Sequence, residues 1–167
     1  MIYIGVLVAL FAFVSLIQQR VHFPIFILWM LSIWGLLHMM GGGLHLPGGE
    51  VLYKWVPLEI YNAHDEGGEF VILKFDQVLH FYVYFVMSFI ISHLLRNSMV
   101  KKIKPFYFLF FVALTSMGIS VINELVEFGA VVFLSKTGVG GYYNTALDLL
   151  FNTLGAVVGG MFAFRKH

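Results

Sequence analysis

Five long apolar runs, residues 2–17, 23–40, 75–95, 106–134 and 145–164, leave this chain few folds to choose from. A helix needs roughly 20 apolar residues to cross the hydrocarbon core, with about 17 to 25 tolerated. Within lipid each backbone N–H and C=O must be paired, which a helix achieves alone and a lone strand does not. The runs therefore predict an all-α, polytopic membrane protein, a bundle of about five transmembrane helices. The first run is near the short limit. No basic segment precedes it, and SLIQQR rather than a small-residue cleavage site follows, so it reads as a span and not a removed signal. The fourth is longer than a crossing requires, and its excess beyond Phe128 is expected to tilt, break at Gly129 or lie along the interface.

Charge supports the class and sets an orientation. Only 11 % of residues are charged, against about 25 % in a soluble domain. With a net charge of +1 and no basic run interleaved with aromatics, nothing points to nucleic acid. Cysteine is absent, which excludes disulfides and thiolate metal ligands. Arg20, the group Arg96, Lys101, Lys102 and Lys104, and the pair Arg165 and Lys166 fall on one side of the alternating spans, against Lys54, Lys74 and Lys136 on the other. The richer side is cytoplasmic by the positive-inside rule. This places the N-terminus outside and the C-terminus in the cytoplasm, with the spans in contact with membrane lipids. The acids Glu50, Glu59, Asp65, Glu66, Glu69, Asp76, Glu124, Glu127 and Asp148 all fall in or beside the external face.

No polar stretch is long enough to fold separately, so residues 1–167 read as a single integral membrane domain. Residues 41–74 form its unusual part, an external connection punctuated by Gly pairs and two prolines yet carrying Leu52, Tyr53, Trp55, Val56, Leu58, Ile60 and Tyr61. Such aromatics favour the membrane interface. The segment is expected to lie on the outer surface as a partly helical lid.

Polar residues inside the spans share one depth. At a rise of 1.5 Å per residue, His38 lies about 22 Å along the second span from its cytoplasmic end, and Glu124 and Glu127 about 27 and 31 Å along the fourth. Asp76 begins the third span, His80 follows one turn deeper, and Asp148 sits one turn into the fifth. Asp76 and His80 are i and i+4; Glu124 and Glu127 are i and i+3; Asn144, Asp148 and Asn152 run i, i+4, i+8, so each set shares a helix face. A charge within a span costs about 2.5–3.5 kcal/mol on insertion scales and normally faces the bundle interior. The bland alternative is a polar network that only ties helices together, at around 0.6 kcal/mol per bond.

These residues also resemble a known family. The stretch LLHMMGGGLHLPGGEVLYKWVP is similar to the His-x-x-Gly-Gly segment, Tyr and Val-Pro of the YjdF-like bacterial inner-membrane proteins. FDQVLHFYVYF resembles their Asp-x-x-x-His-Phe motif, NELVEF their Glu-x-x-Glu pair, and YYNTALDLLFNTLGAVVGG their Asp-bearing last span. A more distant similarity reaches the VanZ-like proteins. Asn144 departs from the pattern, standing where the family has an acid. The resemblance implies the membrane topology and a role at the cell envelope, and it names no reaction.

Three functions fit the polar layer. His38, His80, Glu124, Glu127 and Asp148 offer imidazole and carboxylate ligands for a divalent metal such as Zn, Mn or Fe. With Glu124, Glu127 and Asp148 as acid–base or nucleophilic groups, and Asp76, Asn144 and Asn152 contacting the ligand, the layer could serve a hydrolase or transferase acting on a lipid-linked envelope precursor. No metal-ligand spacing of the H-E-x-x-H kind occurs, nor any nucleophile elbow. The same groups could carry protons or cations in a coupled transporter. The third function is binding alone, of a lipid headgroup or envelope ligand. Gly155 and Gly159 form a G-x-x-x-G step suited to close helix packing.

Overall fold

A computed structural model describes residues 2–65, 68–98, 103–134 and 140–165. Glu66, Lys101, Lys102, Lys136 and Lys166 lie outside these, as do the side chains of His64, Asp65 and Glu69. Five helices follow the five apolar runs: α1 (Ile2–Val21), α2 (Ile25–Gly43), α3 (Phe75–Ser98), α4 (Pro105–Phe133) and α5 (Tyr142–Arg165). Among the described residues, α2 to α5 are each long and apolar enough to cross a membrane. The α1 helix is 20 residues, a rise of roughly 30 Å. Pro24 precedes α2 and Pro105 opens α4, both positions where the missing N–H costs no helical bond. Between α1 and α2, His22 turns the chain at φ 53°. The Gln18 amide spans this turn, accepting from Phe23 N at 2.8 Å and donating to Phe23 O at 3.1 Å. The fourth helix runs unbroken through Gly129.

The distribution of side chains is that of a protein solvated by lipid. Val121, Ile122, Leu125, Val126 and Phe128 on α4 are exposed, whereas Gln77, Ser88, Ser116, Asp148 and Asn152 are fully buried. With no water in the bilayer core, the inward polar groups must find partners on neighbouring helices. Ser88 Oγ donates across to Ala156 O at 2.9 Å, joining α3 to α5.

The α3 helix is the centre of the bundle and packs most extensively against α5, then α2 and α4. Glycine makes the α3–α5 approach possible. A Cβ at Gly155 would run into the carbonyl oxygen of Phe81, and one at Gly159 would lie 2.5 Å from that of Phe85. The G-x-x-x-G step is thus an internal packing face of the chain. On the other side of α3, Phe26 of α2 meets Phe89 edge to face at 5.8 Å, and Tyr82 donates its hydroxyl to Met30 O. At the basic end, the Arg96 guanidinium lies 4.5 Å from the Phe108 ring and 5.8 Å from the Phe164 ring, tying α3 to α4 and α5 by cation–π contact.

The 44–74 connection is more ordered than the sequence suggests. It contains a one-turn 3-10 helix, Leu52–Lys54, and an antiparallel hairpin of β1 (Tyr61–Asp65) and β2 (Gly68–Ile72) with Tyr61 opposite Ile72 and Asp65 opposite Gly68. Two anchors hold it to α3. Phe75 N donates to Trp55 O at 2.7 Å, with the two rings 6.4 Å apart. The completely buried Gln77 side chain donates to Val71 O at 2.9 Å and accepts from the backbone N–H groups of Leu73 and Lys74. These bonds hold Leu73 at φ 90°, a left-handed conformation few non-glycine residues adopt. Replacing Gln77 with Ala strands both N–H groups and should cost about 2–3 kcal/mol locally. Hydrogen exchange checks this: amides of residues 71–74 should exchange faster than in wild type while those of the α3 centre stay protected.

Candidate functional site

The polar residues of three helices meet around one imidazole. His80 sits in the second turn of α3, and its two ring nitrogens face two different groups of acids. Nε2 is 3.7 Å from Asp76 Oδ1 and 3.9 Å from Asp148 Oδ1. Nδ1 is 3.0 Å from Asn152 Oδ1 and 3.8 Å from Glu124 Oε1. Asn152 Nδ2 donates to Glu124 Oε1 at 3.3 Å, and Asn144 Nδ2 donates to Asp148 Oδ2. Helical spacing explains the convergence: each helix offers one polar stripe, and the glycine-mediated approach of α5 brings Asp148 and Asn152 to His80.

Burial is graded along the site. The Asp148 side chain is 1 % exposed, Glu124 8 %, His80 11 % and Asp76 26 %. Asp76, in the first turn of α3 beside the 44–74 connection, is therefore the most exposed of the four. Asp148 Oδ1 is buried without a hydrogen-bond partner, which is unusual for a carboxylate oxygen. Among the described residues, Asp76, His80 and Asp148 can present ligand atoms within 4.8 Å of one another, and so can His80, Glu124 and Glu127.

His38 belongs to a different arrangement. Its Nδ1 is 2.7 Å from Tyr53 Oη, its carbonyl accepts from the same hydroxyl at 2.9 Å, and its ring stacks on Trp34 at 5.3 Å. It pins the one-turn helix of the connection against α2. Gly41 leaves the room, since a Cβ there would overlap the Tyr53 ring. Of the sequence-predicted residues, Asp76, His80, Glu124, Glu127, Asn144, Asp148 and Asn152 are thus assembled in one place, while His38 forms the latch next to it.

A family model described as a predicted membrane protein, DUF2238, matches residues 1–167. The chain belongs to this family. No curated protein and no solved structure matches it. For a DUF2238 protein the convergence on His80 is therefore the main guide to chemistry. Two further polar contacts of this DUF2238 chain were not foreseen from sequence. Asn123 donates to Glu127 Oε1 at 2.8 Å; its i, i+4 spacing was a usable signal. Tyr53 had no such signal, because its partner lies 15 residues away on another element. An apolar crevice of about 200 Å³ lined by Ile25, Leu28, Trp29 and Ser32 lies at the start of α2 and touches none of these groups.

Proposed function

We propose that this membrane protein binds and processes a lipid-linked or cell-envelope ligand at the His80 centre, in the outer half of a bacterial inner membrane. The observation that carries the reading is a buried imidazole surrounded by carboxylates of three membrane helices. Such groups are expensive to hold in a bilayer unless they serve a site. The YjdF-like and VanZ-like resemblance supports an envelope role, and the charge asymmetry supports an external position for the site with the N-terminus outside. In this reading the chain is one domain, and residues 41–74 cover the site. Glu124, Glu127 and Asp148 act as acid–base or nucleophilic groups, and Asp76, Asn144 and Asn152 orient the ligand. Coupled transport is less well supported, because apart from His93 and the basic residues at the opposite helix ends the ionisable residues of the spans cluster at one end of the bundle.

Native mass spectrometry of the detergent-purified protein tests the reading. Wild type should retain an amphiphile of defined mass that His80→Ala and Glu124→Gln lose. An identical lipid complement in all three proteins would refute it.

A further inference from the structure

The hydrogen-bond network around His80 leaves three electron-rich atoms facing one another. Glu124 accepts the amide N–H of Asn152. The Asn152 oxygen therefore points at His80, and the ring proton must sit on Nδ1 to satisfy it. In the neutral ring Nε2 then carries a lone pair. That lone pair faces Asp76 Oδ1 and the unpartnered, buried Asp148 Oδ1. Asn144 holds the other oxygen of Asp148, so Oδ1 is turned into the same space. Among the described residues no donor reaches Asp148 Oδ1, and three acceptors turned toward one space call for a cation.

We infer that Nε2 of His80 and one carboxylate oxygen each from Asp76 and Asp148 hold a first-row divalent metal ion, Zn²⁺ or Mn²⁺. This inference rests on the reading of the His80 centre as a ligand site and supplies the ion for it; Asp76 and Asp148 then act through that ion, and Glu124 and Glu127 keep the acid–base role. A proton on Nε2 is the competing cation. At 3.7 and 3.9 Å the carboxylate oxygens are beyond the reach of an N–H hydrogen bond. Ligand atoms about 2.0–2.2 Å from a tetrahedral ion lie roughly 3.3–3.6 Å from one another. Nε2 is a few tenths of an ångström beyond that from each carboxylate oxygen, and the three residues can present ligand atoms within 4.8 Å of one another. The donor set, one imidazole and two carboxylates with no thiolate, suits Zn²⁺ and Mn²⁺. Asn152 fixes the imidazole through Nδ1, and Asn144 fixes Asp148, as outer-shell groups do in metal sites. Glu124 stays outside the ligand set because Nδ1, the nitrogen it faces, is occupied by Asn152. Three protein ligands leave a coordination position open toward the more exposed Asp76 side, where a phosphate or ester oxygen of the ligand could enter.

The test uses full-length protein in detergent, stripped with EDTA, equilibrated with Zn²⁺ or Mn²⁺ and desalted, with bound metal counted by elemental mass spectrometry. Wild type should keep about one ion per chain. His80→Gln and Asp148→Asn should keep none, and Asn152→Ala should bind roughly 10- to 100-fold more weakly. His38→Ala and Glu127→Gln should match wild type. A wild type that retains no ion, or a monodisperse Asp148→Asn that holds as much as wild type, overturns the site. Should Asp148→Asn not fold, the wild-type Mn²⁺ EPR spectrum with ¹⁵N-labelled histidine decides: coupling to one imidazole nitrogen is expected, and its absence overturns the site. Native mass spectra of the same samples separate the two claims. Lipid retained without metal refutes the ion and spares the ligand site; metal retained without lipid does the reverse.

Discussion

Gly155→Ala should lower the stability of the detergent-solubilised protein by about 3 kcal/mol, the upper part of the usual range for overpacking. The new methyl would meet the carbonyl of Phe81, a backbone atom that cannot rotate aside. The helices must move apart, and Gly159, one turn on, loses its contact with Phe85 in the same motion. Gly118→Ala is the control. It also lies within a helix, but a Cβ there meets nothing within 4 Å, and its higher helix propensity should leave stability unchanged or raised by up to about 1 kcal/mol. Denaturant titration followed by tryptophan fluorescence measures both. Equal midpoints for Gly155→Ala and wild type would show that α3 and α5 are not in contact there.

His80→Leu should have the second large effect, for an electrostatic reason. It keeps much of the volume and removes the group that faces Asp76, Asp148 and Glu124. It also removes the ligand that holds a cation against the buried Asp148 carboxylate, and leaving a buried charge uncompensated typically costs about 3–5 kcal/mol. The double variant His80→Leu with Asp148→Asn should recover part of that loss, giving a coupling of about 1–3 kcal/mol between the two positions. Strictly additive losses would mean that His80 and Asp148 do not interact.

Much of this architecture was legible in the sequence because lipid is a demanding solvent. An apolar run of sufficient length has little option but a helix, and all five runs became helices. Each passes its predicted C-terminal end except the fourth, which closes one residue early, and the second begins two residues late, after Pro24. The assembly of Asp76, His80, Glu124, Asp148 and Asn152 was legible for a related reason. Depth follows from rise per residue, face follows from i, i+4 spacing, and a membrane charge must turn inward. Contacts that depend on the connection were not legible. The five-residue strands of the hairpin show no clean alternation, so the glycines of this segment read as loop punctuation. His38 was at the right depth, yet depth alone did not reveal that Tyr53 would take its ring nitrogen. Nor did spacing reveal that the two nitrogens of His80 divide the acids into separate groups; that required the Asn152 amide to be placed.

The pairing of α3 with α5 also has a consequence for biogenesis. Helices leave the ribosome in chain order, so Asp76, His80 and Glu124 emerge before Asp148 and Asn152. The groove along Phe81 and Phe85 stays vacant until the final segment arrives. Until then the nascent chain exposes a half-built polar centre to lipid, and insertion of the last segment both closes the groove and completes the ring of groups around the imidazole.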